Sequence, residues 1–240
     1  MWSDTATSSS ETSWIFDSIF VNGFEMSKLV PEKALIFRIV HADNLDRILE
    51  GGLHCRNSPE ADPAYRNIGS PEIISNRIER SVPIAPGGVF ADYVPFYFTP
   101  FSIMLYNLKT GYNVPQIPND EILIFVASLR TLVKRGHMAV FTDQHGCAAG
   151  VEFSSDLERL SDLVDWPLLR SKNFSRDPED PGKVLRYQAE AMIHQHVPLQ
   201  DLTGLVCYSE GRLKSVKAAM NRAGVDLSQL QAKCLPHWYF

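Results

Sequence analysis

Glu190 is a carboxylate in a stretch of sequence that otherwise has the composition of a buried core. Its neighbours Ala189, Ala191 and Ile193 are apolar, and a buried carboxylate costs free energy unless it is paired or takes part in chemistry. Arg186 lies four positions earlier and offers a structural ion pair as the alternative. The sequence therefore makes Glu190 the first candidate for a catalytic group.

The chain offers further polar and aromatic side chains beside predicted strand ends and turns. His41 ends the stretch ALIFRIVH. His145 lies in FTDQHG, two positions after the end of the predicted strand MAVFTD. Arg77 and Arg80 are three positions apart in SNRIER, so a helical turn places both on one side. The segment DYVPFYFTP carries aromatic rings that can stack on bases, although alternation in a strand buries about half of them. No pair among these residues forms a specific motif by type and spacing alone.

Composition and missing motifs exclude several classes of protein. A length of 240 residues, 45% of them hydrophobic, is typical of a soluble globular protein, and no apolar run approaches the ~20 residues that span a bilayer. The N-terminus lacks a secretion signal, and four scattered cysteines predict a reducing compartment without a structural metal. A net charge of −5 leaves room for a local nucleic-acid groove. The sequence contains no GxGxxG, P-loop, HExxH or GxSxG motif, so the common cofactor-binding and hydrolase classes lack their usual signatures. Because a secretion signal and a disulfide framework are also missing, we expect a cytoplasmic protein.

The predicted elements form one mixed α/β domain over residues 35–240. Strands are predicted at ALIFRIVH, YVPFYFTP, EILIFVASL, MAVFTD and LTGLVCYS, and helices at ADNLDRILEGG, SDLERLSDLVDW and GRLKSVKAAMNRAG. Pro95 moves its strand toward a sheet edge or an irregular start. Residues 55–92 contain little regular structure beyond EIISNRIERSVP, which is typical of a functional or mobile segment. Residues 1–13 are expected to be disordered or an added leader, and residues 14–34 an N-terminal appendage.

Five stretches, taken together and in their order along the chain, resemble the DarT family of DNA ADP-ribosyltransferase toxins. They are IFRIVHADNLDRILEGGL, YVPFYFTPFSIMLY, VFTDQH, LVDW and RYQAEAMIHQHVP. The resemblance implies the ADP-ribosyltransferase fold, in which a split mixed sheet grips NAD as a co-substrate and no metal is used. It also implies transfer of ADP-ribose to a base in single-stranded DNA, and a macrodomain antitoxin on a separate chain that removes the modification.

The resemblance implies a role for each candidate side chain. Glu190 matches the family's catalytic glutamate, and a carboxylate beside the ribose can stabilise the positive charge that develops when the nicotinamide bond breaks. Arg77 is favoured over Arg80 as the catalytic arginine of a mobile substrate loop, where a guanidinium can bind pyrophosphate or DNA. His145 is expected to complete the catalytic set on the DNA side of the pocket. The remaining expected contacts are His41, Asn44, Gly52, Arg77 and Tyr97 to NAD, and Arg80, Tyr93, Lys183 and Arg186 to DNA.

Several alternatives remain open at this point. Glu190 can be a structural glutamate paired with Arg186, Asn44 a helix cap, and His145 an ordinary turn residue. The acceptor can be RNA or protein instead of DNA, or the chain can be a nucleic-acid-binding module without turnover. Thymine and guanine are both conceivable acceptor bases. The resemblance predicts a monomeric toxin, bacterial or phage-encoded, from a toxin–antitoxin or phage-defence pair.

Overall fold

The computed structural model describes residues 28–240. The predicted leader over residues 1–13, and the part of the predicted appendage up to residue 27, lie outside the described residues. The described end of the appendage packs on the domain: Leu29 is fully buried, and its carbonyl accepts a hydrogen bond from Arg170 Nη1 at 3.0 Å. The carbonyl of Pro31 accepts a further hydrogen bond from Arg130 Nε at 2.9 Å.

Eight strands form one mixed sheet, and two short strands form a second. The strands are β1 Leu35–His41, β2 Leu53–His54, β3 Tyr93–Tyr97, β4 Ile122–Ser128, β5 Ala139–Thr142, β6 Phe153–Ser154, β7 Glu190–His194, β8 His196–Val197, β9 Gly204–Cys207 and β10 Gln231–Cys234. The order in the large sheet is β10-β9-β4-β1-β3-β7-β5-β6, and β2 pairs with β8. β9 and β10 are parallel, whereas the other neighbouring pairs are antiparallel.

The large sheet is split between β1 and β3. One register pair, Phe37 with Tyr97, joins these two strands, whereas β3 pairs with β7 along five positions. Pro95 lies within β3, in the interior of the strand order. Its carbonyl faces β1 and accepts from Arg38 Nη1 at 2.9 Å, so its missing N–H also faces the open side, where no ladder bond is lost. The predicted mixed α/β domain with a split central sheet is confirmed.

The helices follow the predicted pattern with one exception. They are α1 Leu45–Gly51, α2 Pro71–Ile78, α3 Ile103–Thr110, α4 Leu129–Lys134, α5 Leu160–Leu163, α6 Trp166–Ser171, α7 Lys183–Arg186 and α8 Glu210–Arg222. The stretch SDLERLSDLVDW was expected to be one helix, but it breaks at Val164, which is extended. Asp165 caps a new helix there by accepting from Leu168 N, with Pro167 in its first turn, and proline belongs at a helix start because it lacks the N–H that a helix interior needs.

Apolar residues of β1, β4, β7 and β9 fill the core under α1 and α8. Leu45, Ile48 and Leu49 of α1 face inward as predicted, and β4 is buried at every position. Gly224 closes α8 in the left-handed conformation, with φ 68°. None of the helices within residues 28–240 has the length and apolar character that a bilayer crossing requires.

Candidate active site

A cleft of about 970 Å³ opens where β1 and β3 part. Its wall draws on β1, the turn between α1 and β2, about two thirds of the 55–78 segment, β3, and the start of β7. Ligand pockets typically measure about 300–1,000 Å³, so this cleft has room for a dinucleotide-sized ligand. The predicted site residues that line it are Gly52, Arg77, Tyr93, Tyr97, His145 and Glu190.

Glu190 and Arg77 form a bidentate ion pair inside this cleft. Arg77 Nη1 donates to Oε1 at 3.0 Å and Nη2 donates to Oε2 at 2.6 Å. Glu190 is only 3% exposed, and burial alone would raise its pKa, but the Arg77 guanidinium reverses this and holds the pKa below its ordinary value. Burial would lower the pKa of Arg77, but the carboxylate raises it. The partner of Glu190 is therefore Arg77, 113 positions away, and the alternative pairing with Arg186 is wrong.

Gly146 completes the surroundings of the carboxylate. Its backbone N–H donates to Glu190 Oε1 at 2.8 Å. A Cβ atom at position 146 would lie 2.6 Å from that oxygen and 2.7 Å from the Phe90 ring, so only glycine brings the backbone this close. The Phe90 ring also lies 5.0 Å from the Arg77 guanidinium carbon. The carboxylate is thus fixed by one side chain and one backbone donor.

Tyr97 lies beside Glu190 on the neighbouring strand, where the two residues are register partners. Burial, and then the Glu190 carboxylate, raise the pKa of Tyr97, so the phenol stays neutral and keeps a proton to donate. Phe96 and Phe98 are fully buried, and Tyr93 is buried as well at 2% exposure, so more of this aromatic segment belongs to the core than the half that strand alternation predicts. Tyr93 lines the cleft, but its hydroxyl donates to the Gly87 carbonyl at 2.6 Å, and burial raises its pKa to about 12.

His145 lines the cleft in a defined tautomer. The Cys147 N–H donates to its Nδ1 at 3.2 Å, so the neutral ring carries its proton on Nε2. Burial lowers the pKa of His145, which keeps the ring neutral at pH 7. The backbone N–H of His145 donates to the Leu185 carbonyl at 3.0 Å, which ties the 143–150 turn to α7. His145 can therefore donate a hydrogen bond into the cleft without adding charge.

The structure uses His41 and Asn44 elsewhere. His41 is buried: Nδ1 accepts from Asp43 N at 3.1 Å, and Nε2 lies 3.1 Å from Glu121. Asn44 exchanges two hydrogen bonds with the backbone of Arg66, at 2.8 and 2.9 Å. Neither residue belongs to the cleft wall. Both organise the chain that follows β1, and their predicted contact with NAD has no geometric support.

The basic residues predicted to contact DNA also have partners within the fold. Arg80 donates to the carbonyls of Gly146 and Ala148. Arg186 forms a bidentate pair with Asp180 and a further contact with Asp165 at 3.2 Å, and Lys183 lies 4.0 Å from Asp177. None of these three basic residues is among the residues that line the cleft, so the structure does not bring them together with Glu190 in its wall.

Arg38 is a cleft residue that the sequence-based prediction missed. It lies on β1 at the split, is partly buried, and lines the cleft. Its Nη1 bridges to the Pro95 carbonyl, while its Nε has no hydrogen-bond partner within residues 28–240, where no carboxylate pairs with it. A buried guanidinium without a carboxylate suits an anionic ligand. The signal in the sequence was a lone arginine inside an apolar strand.

The geometry of the site is consistent with comparisons to known proteins. A family model described as "ssDNA thymidine ADP-ribosyltransferase, DarT" matches residues 37–240. A "DNA ADP-ribosyl transferase" from Escherichia coli is 48% identical over 185 residues, which cover 77% of this chain and 84% of that protein. Thermus sp. 2.9 DarT in complex with ADP-ribosylated ssDNA is similar in structure, with a TM-score of 0.79 at 31% identity over 88% of this chain and 98% of that one. Its complex with NAD+ gives a TM-score of 0.73 at 30% identity, over 88% and 99% of the two chains. The chain therefore belongs to the DarT family of DNA ADP-ribosyltransferases.

Proposed function

We propose that this chain transfers ADP-ribose from NAD to a thymine base in single-stranded DNA. The observation that carries the proposal is the ionised, buried Glu190, held by Arg77 and Gly146 at the split of the sheet. The family description names thymidine as the acceptor, and the Thermus relative is described in complexes with NAD+ and with ADP-ribosylated ssDNA.

Glu190 supplies the charge that this reaction needs. The bond between the ribose and the nicotinamide breaks, nicotinamide leaves with the bonding electrons, and the ribose carbon becomes positively charged. A carboxylate that is already ionised and fixed stabilises this charge without reorganisation. The acceptor base then bonds to the same carbon and loses one proton, for which Glu190 is the nearest base in the cleft.

NAD enters the proposal as a substrate, and the cleft wall offers groups that match it. Arg38 lines the cleft and its buried Nε has no hydrogen-bond partner within residues 28–240, and a guanidinium is suited to pyrophosphate oxygens. Gly52 has φ 80° and no space for a side chain, since a Cβ there would lie 2.4 Å from the Val197 carbonyl oxygen. This lets backbone instead of side chain form that part of the wall.

The acceptor base reaches the cleft from its mouth. A single-stranded substrate avoids the few kcal/mol that extraction of a base from a duplex costs. Arg56 is exposed at the wall of the cleft and can take a phosphate that flanks the base. His145 can donate from Nε2 to a carbonyl oxygen of the base, as its tautomer allows.

Mass spectrometry of mixed-sequence oligonucleotides incubated with NAD tests the proposal. We expect the added mass of one ADP-ribose on single-stranded DNA, and fragmentation should place it on thymine. Glu190→Gln should abolish the product. Glu158→Gln, which changes an exposed glutamate outside the cleft wall, should leave the amount of product unchanged. Labelling of guanine instead of thymine would show that the proposed acceptor base is wrong and that guanine is the acceptor. Labelling of RNA or protein alone, or no consumption of NAD, would overturn the proposal.

We also propose that the chain is a monomeric toxin of the bacterial cytoplasm, neutralised by a separate macrodomain protein. Support comes from the chemistry, because ADP-ribose on a template base blocks base pairing during replication. Expression in bacteria should arrest growth, and co-expression of a macrodomain that hydrolyses the modification should restore it. Glu190→Gln should be harmless. Growth arrest that this variant also causes would contradict the toxin proposal, and light scattering above the 27.0 kDa of one chain would contradict the monomer.

A further inference from the structure

Arg80 is fixed by the fold at a point where three parts of the active site meet. Its backbone N–H donates to the Arg77 carbonyl at 3.2 Å, and its carbonyl accepts from Phe90 N at 2.9 Å. Its side chain crosses to the 143–150 turn, where Nε donates to the Gly146 carbonyl at 2.9 Å and Nη2 reaches the Ala148 carbonyl at 3.5 Å. One residue therefore ties the end of α2 to the Phe90 ring and to the turn behind Glu190.

The turn that Arg80 holds is the one that orients the carboxylate. The same peptide residue, Gly146, accepts from Arg80 on its carbonyl side and donates to Glu190 on its N–H side. The backbone of the turn lies close to the site, because a Cβ at position 146 would clash with Glu190 and with Phe90. Arg80 restrains it from moving away. The position of the Gly146 N–H therefore depends on the close packing against Glu190 and Phe90 and on the hydrogen bonds from Arg80.

We propose that Arg80 is a positioning residue for Glu190, acting through the backbone of Gly146. The inference rests on the proposed transfer reaction and adds a residue that touches neither NAD nor DNA. A charged donor that spans two carbonyls of one turn fixes its orientation in a way that a neutral side chain does not. Loss of this restraint lets the Gly146 N–H drift from the carboxylate oxygen and lets the carboxylate drift from the ribose.

The competing role for Arg80 is a contact to a DNA phosphate. The two roles predict different measurements, because a phosphate contact contributes to DNA affinity and to its salt dependence, whereas a positioning residue contributes to turnover. Each phosphate neutralised on a single strand steepens the plot of log K against log salt by about 0.7. Nε and Nη2 of Arg80 already donate to Gly146 and Ala148, and the residue lies outside the cleft wall. The geometry points to the positioning role.

The test compares the wild type with Arg80→Gln, Arg80→Lys and Arg130→Gln. Arg130 is a matched control, because it also donates Nε and Nη2 to two backbone carbonyls, at 2.9 and 3.2 Å, but it lies on α4 away from the cleft. The readouts are kcat and KM for NAD in oligonucleotide labelling, the Kd for the oligonucleotide over a range of salt, and the melting temperature.

In Arg80→Gln we expect kcat to fall roughly 10- to 100-fold, the range that a misplacement of up to about 1 Å produces. KM for NAD, the oligonucleotide Kd and its salt slope should stay within about twofold of the wild type. Arg80→Lys keeps one donor and should recover part of kcat, and Arg130→Gln should keep all of it. If Arg80→Gln melts below the assay temperature, Arg80→Lys decides through the same readouts.

Two outcomes would overturn the inference. A wild-type kcat in the folded variants would show that the turn does not need Arg80. A weaker oligonucleotide Kd with a shallower salt slope, restored by lysine, would assign Arg80 to a phosphate instead. An inactive wild type would count against the proposed transfer reaction instead, and it is distinguishable because both outcomes that overturn the inference require a wild type that labels DNA.

Discussion

Replacing Arg77 with glutamine tests whether one ion pair sets the charge of Glu190 and holds α2 over the cleft. α2 carries no buried side chain, and the two hydrogen bonds from Arg77 to Glu190 connect it to the sheet. Without the guanidinium, burial prevails, and the pKa of Glu190 should rise above its unfolded value of about 4.3. The variant then has a buried carboxylate that is either unpaired or protonated.

The expected cost follows from the surroundings that remain. Removing one partner of a buried ion pair typically costs about 3–5 kcal/mol. Glu190 keeps the Gly146 N–H at 2.8 Å and faces a cleft that water can enter, so the lower end, about 3 kcal/mol, applies. A chain of this size loses about 2–4 °C of melting temperature for each kcal/mol, which gives a drop of roughly 6–12 °C near neutral pH.

The pH dependence has a definite sign. In the wild type the folded pKa of Glu190 is lowered, so its stabilisation is complete above the unfolded pKa and is lost as pH falls through the folded value. In Arg77→Gln the folded pKa is raised, so the destabilisation is present at neutral pH and disappears once the carboxyl is protonated in both states. The gap in melting temperature should therefore shrink below about pH 4.

Thermal unfolding followed by circular dichroism, at about pH 7.5 and about pH 3.5, measures this gap on either side of the unfolded pKa. Arg66→Gln is the control, because its ion pair with Asp43 at 2.7 Å is exposed and should contribute only about 0–1 kcal/mol. A drop in Arg77→Gln no larger than in Arg66→Gln would refute the reasoning. So would a gap that stays the same at the acidic pH.

Three further variants probe the rest of the site. Glu190→Gln keeps the size of the side chain but removes its charge. The attraction between that charge and the ribosyl cation is worth about 4 kcal/mol at about 4 Å and an effective dielectric of about 20. We therefore expect kcat for oligonucleotide labelling to fall roughly 10³-fold, with NAD affinity nearly unchanged. Arg38→Gln removes a charged donor worth about 1.5–3 kcal/mol, so calorimetry should show NAD binding roughly 10- to 100-fold weaker; Arg170→Gln, another arginine bound to a backbone carbonyl, should bind NAD as the wild type does. Gly52→Ala forces a side chain against the Val197 carbonyl at a backbone conformation that costs about 1–3 kcal/mol, and an unchanged melting temperature would contradict this.

Local patterns in the sequence predicted most of the fold. Apolar and β-branched runs located β1, β4, β5 and β9, and a capped amphipathic pattern located α8, because these signals depend on neighbours only a few positions away. Pro95 predicts a sheet edge or an irregular strand start, whereas its strand is interior in the strand order and Pro95 faces the open side of the split. The sequence cannot show that the sheet is split beside β3, since the split depends on β1, more than fifty residues earlier.

The active site was predictable in part for the same reason. Glu190 and Arg77 were both identified, but their contact spans 113 positions and leaves no local trace. His41 was chosen because it ends a strand. Side chains alternate along a strand, so His41 shares the face of buried Phe37, while Arg38 points to the other face. Applying that alternation to the single arginine of β1 was the available signal for a cleft cation.

Burial and ion pairing act together to give Glu190 the charge that the reaction requires. A buried carboxylate stabilises a developing positive charge strongly, but burial alone would raise its pKa and favour the protonated form. Arg77 resolves this conflict by keeping the group ionised, and it does so from a helix that has no buried side chain of its own. The residue that maintains the charge therefore lies on a helix of the cleft wall that buries none of its own side chains, so the ionisation of Glu190 depends on one long-range ion pair.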